Sequence, residues 1–324
     1  MTQTVDAAAR TVAPRAGLVA VALLVVYVVW GSTYLGIRIL VEQAPPLLSG
    51  GLRFMAGGLI LGAILALRSG VRRLAVSRRQ LAGTAFLGLM LPMLGNGIVS
   101  VGEDLGAHSG PTALLIASIP LWIVVFRVAG GDRPHTLSLV GVLLGFGGLA
   151  FLVLAGRGDG GRQLPLVAAG LILFAALCWS IGSFVQPKLW LPRDVFVTAV
   201  YEMLCGGAIM VFAGLLVGER FVPADYGART WIALSYLVIF GSVLAFTSYV
   251  WLLANAPISL VATYAYVNPV VAVFLGWLVL AEPVTAPVVI GGGVVVLAVA
   301  IVITAERPKR SWVDKPGRPR AVGR

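Results

Sequence analysis

Two stretches of the sequence decide the fold: residues 113–134, ALLIASIPLWIVVFRVAGGDRP, and residues 262–283, ATYAYVNPVVAVFLGWLVLAEP. They align at an offset of 149 residues, which places Pro120 on Pro269 and brings together the acidic, proline-terminated ends of both stretches. The same offset pairs other residues of the two halves: Trp30 with Trp179, and Gly57-Gly58 with Gly206-Gly207. The chain therefore contains two copies of one unit.

The composition places both copies in a membrane. Hydrophobic residues make up 59% of the 324 residues, charged residues make up 11%, and the mean hydropathy is +0.97. A soluble domain of this size cannot bury so much apolar surface. Because a helix needs about 20 apolar residues to cross the hydrocarbon core, we predict ten spans: 17–40, 47–67, 81–101, 110–129, 137–155, 166–187, 195–217, 231–253, 258–280 and 286–304.

Five crossings in each half give the two copies opposite directions in the membrane. An odd number of crossings leaves the chain on the far side, so the second copy enters upside down. The predicted fold is an all-α integral membrane protein with ten transmembrane helices, arranged as two inverted five-helix repeats. In secondary transporters, such repeats hold the substrate near the midplane, where the two copies meet.

The net charge of +11 is distributed as in a membrane protein. Of the 24 Lys and Arg residues, 18 fall in segments on the N-terminal side, 4 in the opposite loops and 2 within spans. This asymmetry predicts that both termini are cytoplasmic, with 1–16 as an N-terminal segment and 305–324 as a basic tail. Residues 1–16 lack the features of a signal peptide, so we expect the first span to be an uncleaved anchor. No nucleic-acid partner is expected.

Motifs in both halves resemble those of one family. The first half carries Trp30-Gly31-Ser32-Thr33-Tyr34, Pro45-Pro46 and Leu52-Arg53-Phe54; the second carries Asn255-Ala256-Pro257, Tyr264-Ala265-Tyr266-Val267-Asn268-Pro269 and Glu282-Pro283. In order and spacing they resemble the EamA-type permeases of the drug/metabolite transporter superfamily, with repeats at 17–155 and 166–304. The resemblance implies a multi-pass permease of the inner (plasma) membrane, often an exporter of amino acids, related metabolites or toxic compounds.

The expected function is therefore that of a secondary transporter. We expect it to export a small polar or amphipathic metabolite, an amino acid or a related compound, by alternating access; a multidrug or toxic-compound efflux permease on the same scaffold is the alternative. An intramembrane enzyme is disfavoured, because His108 and His135 fall on opposite sides of the membrane and no HExxH or GxSxG motif occurs. No catalytic residue, metal or cofactor is expected. The expected partners are a small-molecule substrate and membrane lipids, with the protein as a monomer or homodimer.

Ionisable residues inside the spans are the first candidates for function, because an unpaired charge in hydrocarbon is costly. Arg53 and Glu202 align at the repeat offset, but inversion places them at opposite depths, so we expect no direct bridge between them. Two clusters of gating or coupling residues are predicted: Arg53 with Glu103, Asp104 and Arg38 at the outer mouth, and Glu202 with Lys188 and Arg193 at the inner mouth. The alternative is that the cations reach lipid headgroups and Glu202 reaches interfacial water.

Two glutamates carry further hypotheses. Glu202 lies in a poorly solvated place, and a carboxyl group there can bind and release a proton, so coupled protons are a hypothetical partner. Glu282 precedes Pro283 in a predicted outer loop, where we expect its carboxylate to cap the last span.

The two aligned prolines are candidates for the substrate cavity. Pro120 and Pro269 lie near the middle of the fourth and ninth spans. Each removes a helical hydrogen bond and disturbs the carbonyl four residues earlier, at Ile116 and Ala265. Such free carbonyls can face a cavity; a helix kink absorbed by neighbouring helices is the alternative.

Polar and aromatic residues at similar depth complete the predicted cavity. Four of them are polar groups that need partners in lipid, either as a substrate-facing wall or as interhelical hydrogen bonds: Asn96, Tyr264, Tyr266 and Asn268. Four others form an aromatic platform with nearby hydroxyl groups, suited to an amphipathic cargo: Trp30, Ser32, Tyr34 and Trp179. Interfacial anchoring is the alternative for the tryptophans, and it is the favoured interpretation for Tyr249 and Trp251.

Overall fold

The computed structural model describes residues 16–155, 164–256, 258–261 and 263–305. Ten apolar helices account for most of these residues: α1 (Ala16–Val41), α2 (Pro46–Ser69), α3 (Arg78–Asp104), α4 (Ser109–Ala129), α5 (Thr136–Ala155), α6 (Leu166–Lys188), α7 (Val195–Leu216), α8 (Ala228–Leu253), α9 (Tyr264–Leu280) and α10 (Ala286–Ala305). Nine are long and apolar enough to cross a membrane, and α9 is shorter. The prediction of ten helices is confirmed.

The ninth predicted span is divided in the structure. A single turn, Ile258–Val261, precedes α9, so the segment predicted at 258–280 is not one continuous helix. The predicted cytoplasmic segment and basic tail lie outside the described residues, apart from Ala16 and Ala305 at their edges.

Equivalent helices of the two repeats pack against each other in antiparallel fashion. A Cβ atom added to Gly51 of α2 would lie 2.8 Å from the carbonyl oxygen of Gly207 in α7. A Cβ atom added to Gly58 of α2 would lie 3.2 Å from the carbonyl oxygen of Val200 in α7. Residue numbers therefore rise along α2 as they fall along α7. The helices α5 and α10 approach in the same way, through small residues that permit close packing in lipid. The two repeats thus run in opposite directions; which end faces the cytoplasm stays a prediction.

Three of the helices contain π-helical segments at mid-length. They lie at Val26–Trp30 in α1, Leu89–Gly97 in α3 and Leu237–Phe246 in α8. At the repeat offset, the segment in α3 falls on the one in α8. Because a π turn rotates the following residues relative to an α-helix and is frequent at functional sites, these segments mark the region where α1, α3 and α8 meet.

Helix α4 is interrupted at its centre. It consists of Ser109–Ile116 and Ile119–Ala129, with a turn at Ala117 and Ser118. Pro120 is the second residue of the later segment, where a missing amide hydrogen is tolerated, and the carbonyl of Ile116 lacks the donor that would normally lie four residues further on. The predicted discontinuity is therefore present at Pro120. Pro269, in contrast, lies inside the uninterrupted helix α9.

Two glutamates from the second repeat bind helix N-termini of the first repeat. Glu219 accepts hydrogen bonds from the amides of Leu47 (3.1 Å) and Leu48 (2.7 Å), at the start of α2. Glu282 accepts from the amide (3.0 Å) and the hydroxyl (2.7 Å) of Ser109, at the start of α4. The expectation that Glu282 caps the last span is wrong: its carboxylate turns back towards α4. Both contacts lie on the face that the charge count predicts to be outside, called here the predicted outer face.

Candidate functional site

A central cavity of about 50 Å³ lies where the two repeats meet. This volume holds only a few water molecules, so in this conformation the cavity is too small for a metabolite. Residues from α1, α2, α3, α4, α6, α8 and α9 line it. Five of the predicted cavity residues are among them: Trp30, Tyr34, Asn96, Trp179 and Tyr264.

Aromatic rings form most of one wall. The ring of Trp30 lies 5.7 Å from that of Trp179 and 5.4 Å from that of Tyr264, both edge to face, and 4.7 Å from the ring of Tyr249. Phe246 adds a fifth ring at 6.5 Å from Trp30. These separations are in the range of favourable aromatic pairs. The predicted platform of Trp30 and Trp179 is thus part of a larger aromatic cluster inside the protein.

Arg53 is the one charged residue that the described part of the chain contributes to the cavity lining. Its side chain is only 4% exposed, and its Nε donates to the hydroxyl of Ser242 in α8 at 3.0 Å. Its guanidinium carbon also lies 4.8 Å from the ring centre of Phe54. Among the described residues no carboxylate comes within ion-pair distance, so the predicted pairing with Glu103 or Asp104 is absent and a serine hydroxyl takes its place.

Two other members of the predicted outer cluster, Arg38 and Glu103, lie in contact with each other. Glu103 is fully buried, and neither of its carboxyl oxygens has a hydrogen-bond partner. Arg38 donates instead to the backbone carbonyl of Glu103. The hydroxyl of Thr112 and the carboxylate of Glu282 lie near this carboxyl group without hydrogen-bond geometry. Arg38 and Glu103 are therefore neighbours without the expected ion pair, Asp104 is exposed, and Arg53 has other partners.

The predicted inner cluster is not assembled in this conformation. Glu202 is 1% exposed, and its Oε1 has no hydrogen-bond partner. Lys188 and Arg193 form no ion pair with it within the described part of the chain; the ammonium of Lys188 lies 5.0 Å from the ring centre of Phe184. The reason is depth, because Glu202 is two helical turns inside α7, whereas both cations lie in or beside the α6–α7 connection.

The remaining predicted cavity residues lie outside the central cavity. Asn268 is buried and, with its amide nitrogen facing α1, donates to the carbonyls of Tyr27 (3.1 Å) and Tyr264 (3.3 Å). For Asn268, these contacts agree with the alternative interpretation, an interhelical hydrogen bond, and not with a substrate-facing wall. Ser32 donates to the carbonyl of Val29 and contacts the hydroxyl of Tyr236 at 2.5 Å. Tyr266 packs against the apolar core and does not line the cavity.

The two prolines line different spaces. Pro120 lines a second, mostly apolar space of about 430 Å³ on the opposite side from the predicted outer face, called here the vestibule. Pro269 lines a lateral groove beside α10. Ile119 and Tyr264 border both the vestibule and the central cavity, so these two side chains separate them.

Sequence reasoning missed three residues of α8. Ser242 binds Arg53, Phe246 lines the cavity, and Tyr249 is 5% exposed and packs on Trp30. The interpretation of Tyr249 as an interfacial anchor is wrong. The spacing of these residues, four and then three, places them on one helix face, and this signal was available in the sequence.

Within the described ranges, no three His, Cys, Asp or Glu side chains gather closely enough to hold a metal ion. The groups that the site presents are hydroxyls, one amide, aromatic rings and one guanidinium. Such a set can bind and orient a small molecule.

Comparison with known proteins identifies the family. Residues 17–154 and 166–304 each match the EamA-like transporter family. The chain is 36% identical to the "Uncharacterized inner membrane transporter YedA" of Escherichia coli (strain K12), over 87% of this chain and 89% of the relative. It is 23% identical to the "Uncharacterized transporter YoaV" of Bacillus subtilis (strain 168), over 82% and 90%. A solved crystal structure with 19% identity matches with a TM-score of 0.63, over 88% of this chain and 96% of that chain, which shows the fold alone.

Proposed function

Because the chain belongs to the EamA-like transporter family and is therefore a multi-pass membrane transporter, we propose that it exports a small polar or amphipathic metabolite by alternating access. The observation that carries this proposal is the aromatic cavity enclosed between two antiparallel repeats. The name of YedA, an inner membrane transporter, supports a location in the plasma membrane. The cargo crosses without chemical change, and the transporter acts as a monomer or homodimer.

The contacts around the cavity support a conformation closed on the predicted outer face. There the second repeat holds the first through Glu219 and Glu282, and the hydroxyl of Thr230 contacts the side-chain oxygen of Gln43 at 2.5 Å. On the opposite side, the vestibule comes close to the cavity, and Ile119 and Tyr264 border both spaces. Rocking of the repeats would break the first set of contacts and close the vestibule.

The charged residues of the two predicted clusters are assigned as gating or coupling residues in this cycle. Arg38 and Glu103 lie between the cavity and the predicted outer face, and Lys188 lies at the vestibule end of α6. Glu202 is the proposed proton-coupling site, because protonation removes the charge that burial makes costly. Movement of the repeats would change which of these groups meets water.

Counterflow in proteoliposomes tests the proposal. The purified chain is reconstituted and loaded with each member of a panel of amino acids, organic acids, nucleosides and cationic drugs, with and without a pH gradient. We expect saturable exchange of at least one metabolite, recovered unchanged. Empty liposomes and a reconstituted, heat-unfolded sample are the controls. Absence of exchange for every compound, in protein that remains folded, would contradict the proposal.

The size of the vestibule favours one alternative, a multidrug efflux permease. Its volume of about 430 Å³ and apolar lining suit a bulky amphipathic compound. Arg53 opposes this alternative for cationic drugs, because their charge would meet a buried guanidinium. Exchange of cationic drugs but of no metabolite in the same panel would favour the alternative.

The direction of insertion is tested separately. The N-in, C-in prediction places Asp225 outside and Trp190 inside the cell. In a variant with Cys178 and Cys205 replaced by serine, a cysteine at position 225 should react with an impermeant maleimide in intact cells. A cysteine at position 190 should react only after permeabilisation. The reverse pattern would overturn the orientation while leaving the family assignment intact.

A further inference from the structure

We propose that the cargo is an organic anion with one carboxylate and an apolar body about the size of an aromatic ring. The carboxylate would bind the guanidinium of Arg53, and the body would pack against Trp30, Trp179 and Tyr264. This inference rests on the proposed function, because it names the substrate class of the same cavity.

The first step is the free bonding capacity of Arg53. A guanidinium has five N–H donors in a planar fork. Here one of them, at Nε, binds Ser242, and no protein acceptor is in hydrogen-bond range of the two terminal nitrogens within the described structure. The side chain is 96% buried in contact with the cavity. A buried cation with free donors facing a cavity is a site for a carboxylate, which it can bind through two parallel hydrogen bonds.

The second step is the space around the guanidinium. Residue 241, in the π-helical segment of α8, is a glycine, and a Cβ atom there would lie 3.0 Å from Nη2 of Arg53 and 3.1 Å from the methyl group of Thr33. Gly241 also lines the cavity. The absence of a side chain at this position therefore keeps the terminal nitrogen accessible from the cavity.

The third step is the sign of the remaining charges. Among the residues that the structure describes, no acidic side chain lines the cavity, and Glu103 and Glu202 are buried outside its lining. An ammonium group would find hydroxyls, an amide and aromatic rings, with the guanidinium as the only formal charge. A single carboxylate therefore neutralises the site, whereas the cationic group of an amine or a zwitterionic amino acid would lie unpaired near Arg53.

The fourth step is the apolar part of the cargo. The ring of Trp30 lies edge to face with the rings of Trp179 and Tyr264, at 5.7 and 5.4 Å, and the three rings give the cavity an aromatic boundary. In this conformation the cavity is too small for a whole ligand. Displacement of Tyr264 and Ile119 would join it to the vestibule and provide the missing volume.

The inference is tested with four ligands of one shape and different charge. They are 3-phenylpropanoate, its neutral amide, L-phenylalanine and 2-phenylethylamine. Binding to the purified full-length chain at pH 8 is followed by tryptophan fluorescence and by ligand-induced thermal stabilisation. We expect 3-phenylpropanoate to bind about 10- to 100-fold more tightly than the amide, the range for a hydrogen bond to a charged group.

Variants of Arg53 supply the second arm. Arg53→Gln should abolish the preference for the acid over the amide, and Arg53→Lys should retain part of it, because an ammonium keeps the charge but not the planar fork. Arg229→Gln, which removes a cation from the exposed start of α8, is the matched control and should bind all four ligands as the wild type does. If Arg53→Gln fails to fold, the wild-type ligand series alone decides.

The outcomes separate this inference from the proposed function. Equal binding of acid and amide, tighter binding of the amine or the amino acid, or an unchanged preference in folded Arg53→Gln would overturn the inference. Counterflow of phenylalanine or phenylethylamine without any exchange of the acid would do the same while supporting transport. If no member of the wider panel exchanges, both the inference and the proposed function fail.

Discussion

The close approach of α2 and α7 leads to a stability prediction that concerns the contact between the repeats. In Gly207→Ala, the new Cβ would lie 2.7 Å from the carbonyl oxygen of Gly51 and 2.8 Å from the amide nitrogen of Met55. Ordinary contacts begin at 3.4 Å, so the two backbones must separate by about 0.7 Å. Such overpacking costs about 1–3 kcal/mol, and the higher helix propensity of alanine offsets up to about 1 kcal/mol.

The matched control is Gly293→Ala in α10, where a Cβ atom would meet no atom within 4 Å. The same propensity gain applies there without the steric cost. Thermal unfolding in detergent should therefore distinguish the two variants: the free energy of unfolding should fall by about 1–2 kcal/mol in Gly207→Ala and should not fall in Gly293→Ala. Equal stability of the two variants would refute the interpretation that glycine is needed at the α2–α7 crossing.

Three further predictions concern the site. Glu282→Ala removes the acceptor of the Ser109 amide and hydroxyl. It should lower the free energy of unfolding by about 1–2 kcal/mol, and Glu282→Gln should lower it less. Unchanged thermal unfolding in both variants would show that the contact contributes nothing. Glu202→Gln should keep counterflow of the cargo but remove its dependence on a pH gradient, and a preserved dependence would place proton coupling elsewhere. Tyr249→Ala removes the ring that lies 4.7 Å from the ring of Trp30. In the fluorescence titration, it should weaken binding of an aromatic cargo about 2- to 10-fold, the range for one aromatic pair. Tyr249→Phe keeps the ring and should bind the cargo as the wild type does.

Hydropathy and the internal repeat were sufficient to predict the helices and their inverted arrangement. Both can be read directly from the sequence: the helices from the length of the apolar segments, and the inversion from the odd number of crossings in each half. The matched pair Trp30 and Trp179 also led to the cavity, because residues at equivalent positions of inverted repeats can meet at the midplane. Their rings are in contact in the structure.

The partners of the buried charges could not be read from the sequence, because they depend on helix rotation. The predicted depth of the residues in the membrane indicated Glu103 as the partner of Arg53. In the structure, Ser242 of the π-helical segment of α8 binds the guanidinium instead. The same segment turns Tyr249 inward, although its position near a helix end is typical of an interfacial anchor. The spacing of Ser242, Phe246 and Tyr249 shows that they share a face of α8, but one extra residue in a helical turn changes which face is buried, and the apolar pattern of α8 does not reveal that choice.

The aligned prolines do not lie at equivalent distances from the helix breaks. Helix α4 breaks at Ser118, two residues before Pro120, whereas the chain before α9 turns at Thr263, six residues before Pro269. The two turns are nevertheless built alike: each hydroxyl donates to the carbonyl three residues earlier, of Leu115 or Leu260.

Each turn is followed at once by a residue that borders both the central cavity and the vestibule, Ile119 after Ser118 and Tyr264 after Thr263. Each repeat thus contributes, directly after a hydroxyl-bonded turn, one residue to the boundary between the two spaces. Because a turn at a helix break can change its backbone angles without unwinding a continuous helix, movement at Ser118 and Thr263 can shift both side chains while the antiparallel contacts of α2 with α7 stay in place. If the protein works by the proposed alternating access, we therefore expect the hydroxyl turns, more than the prolines, to couple rocking of the repeats to access.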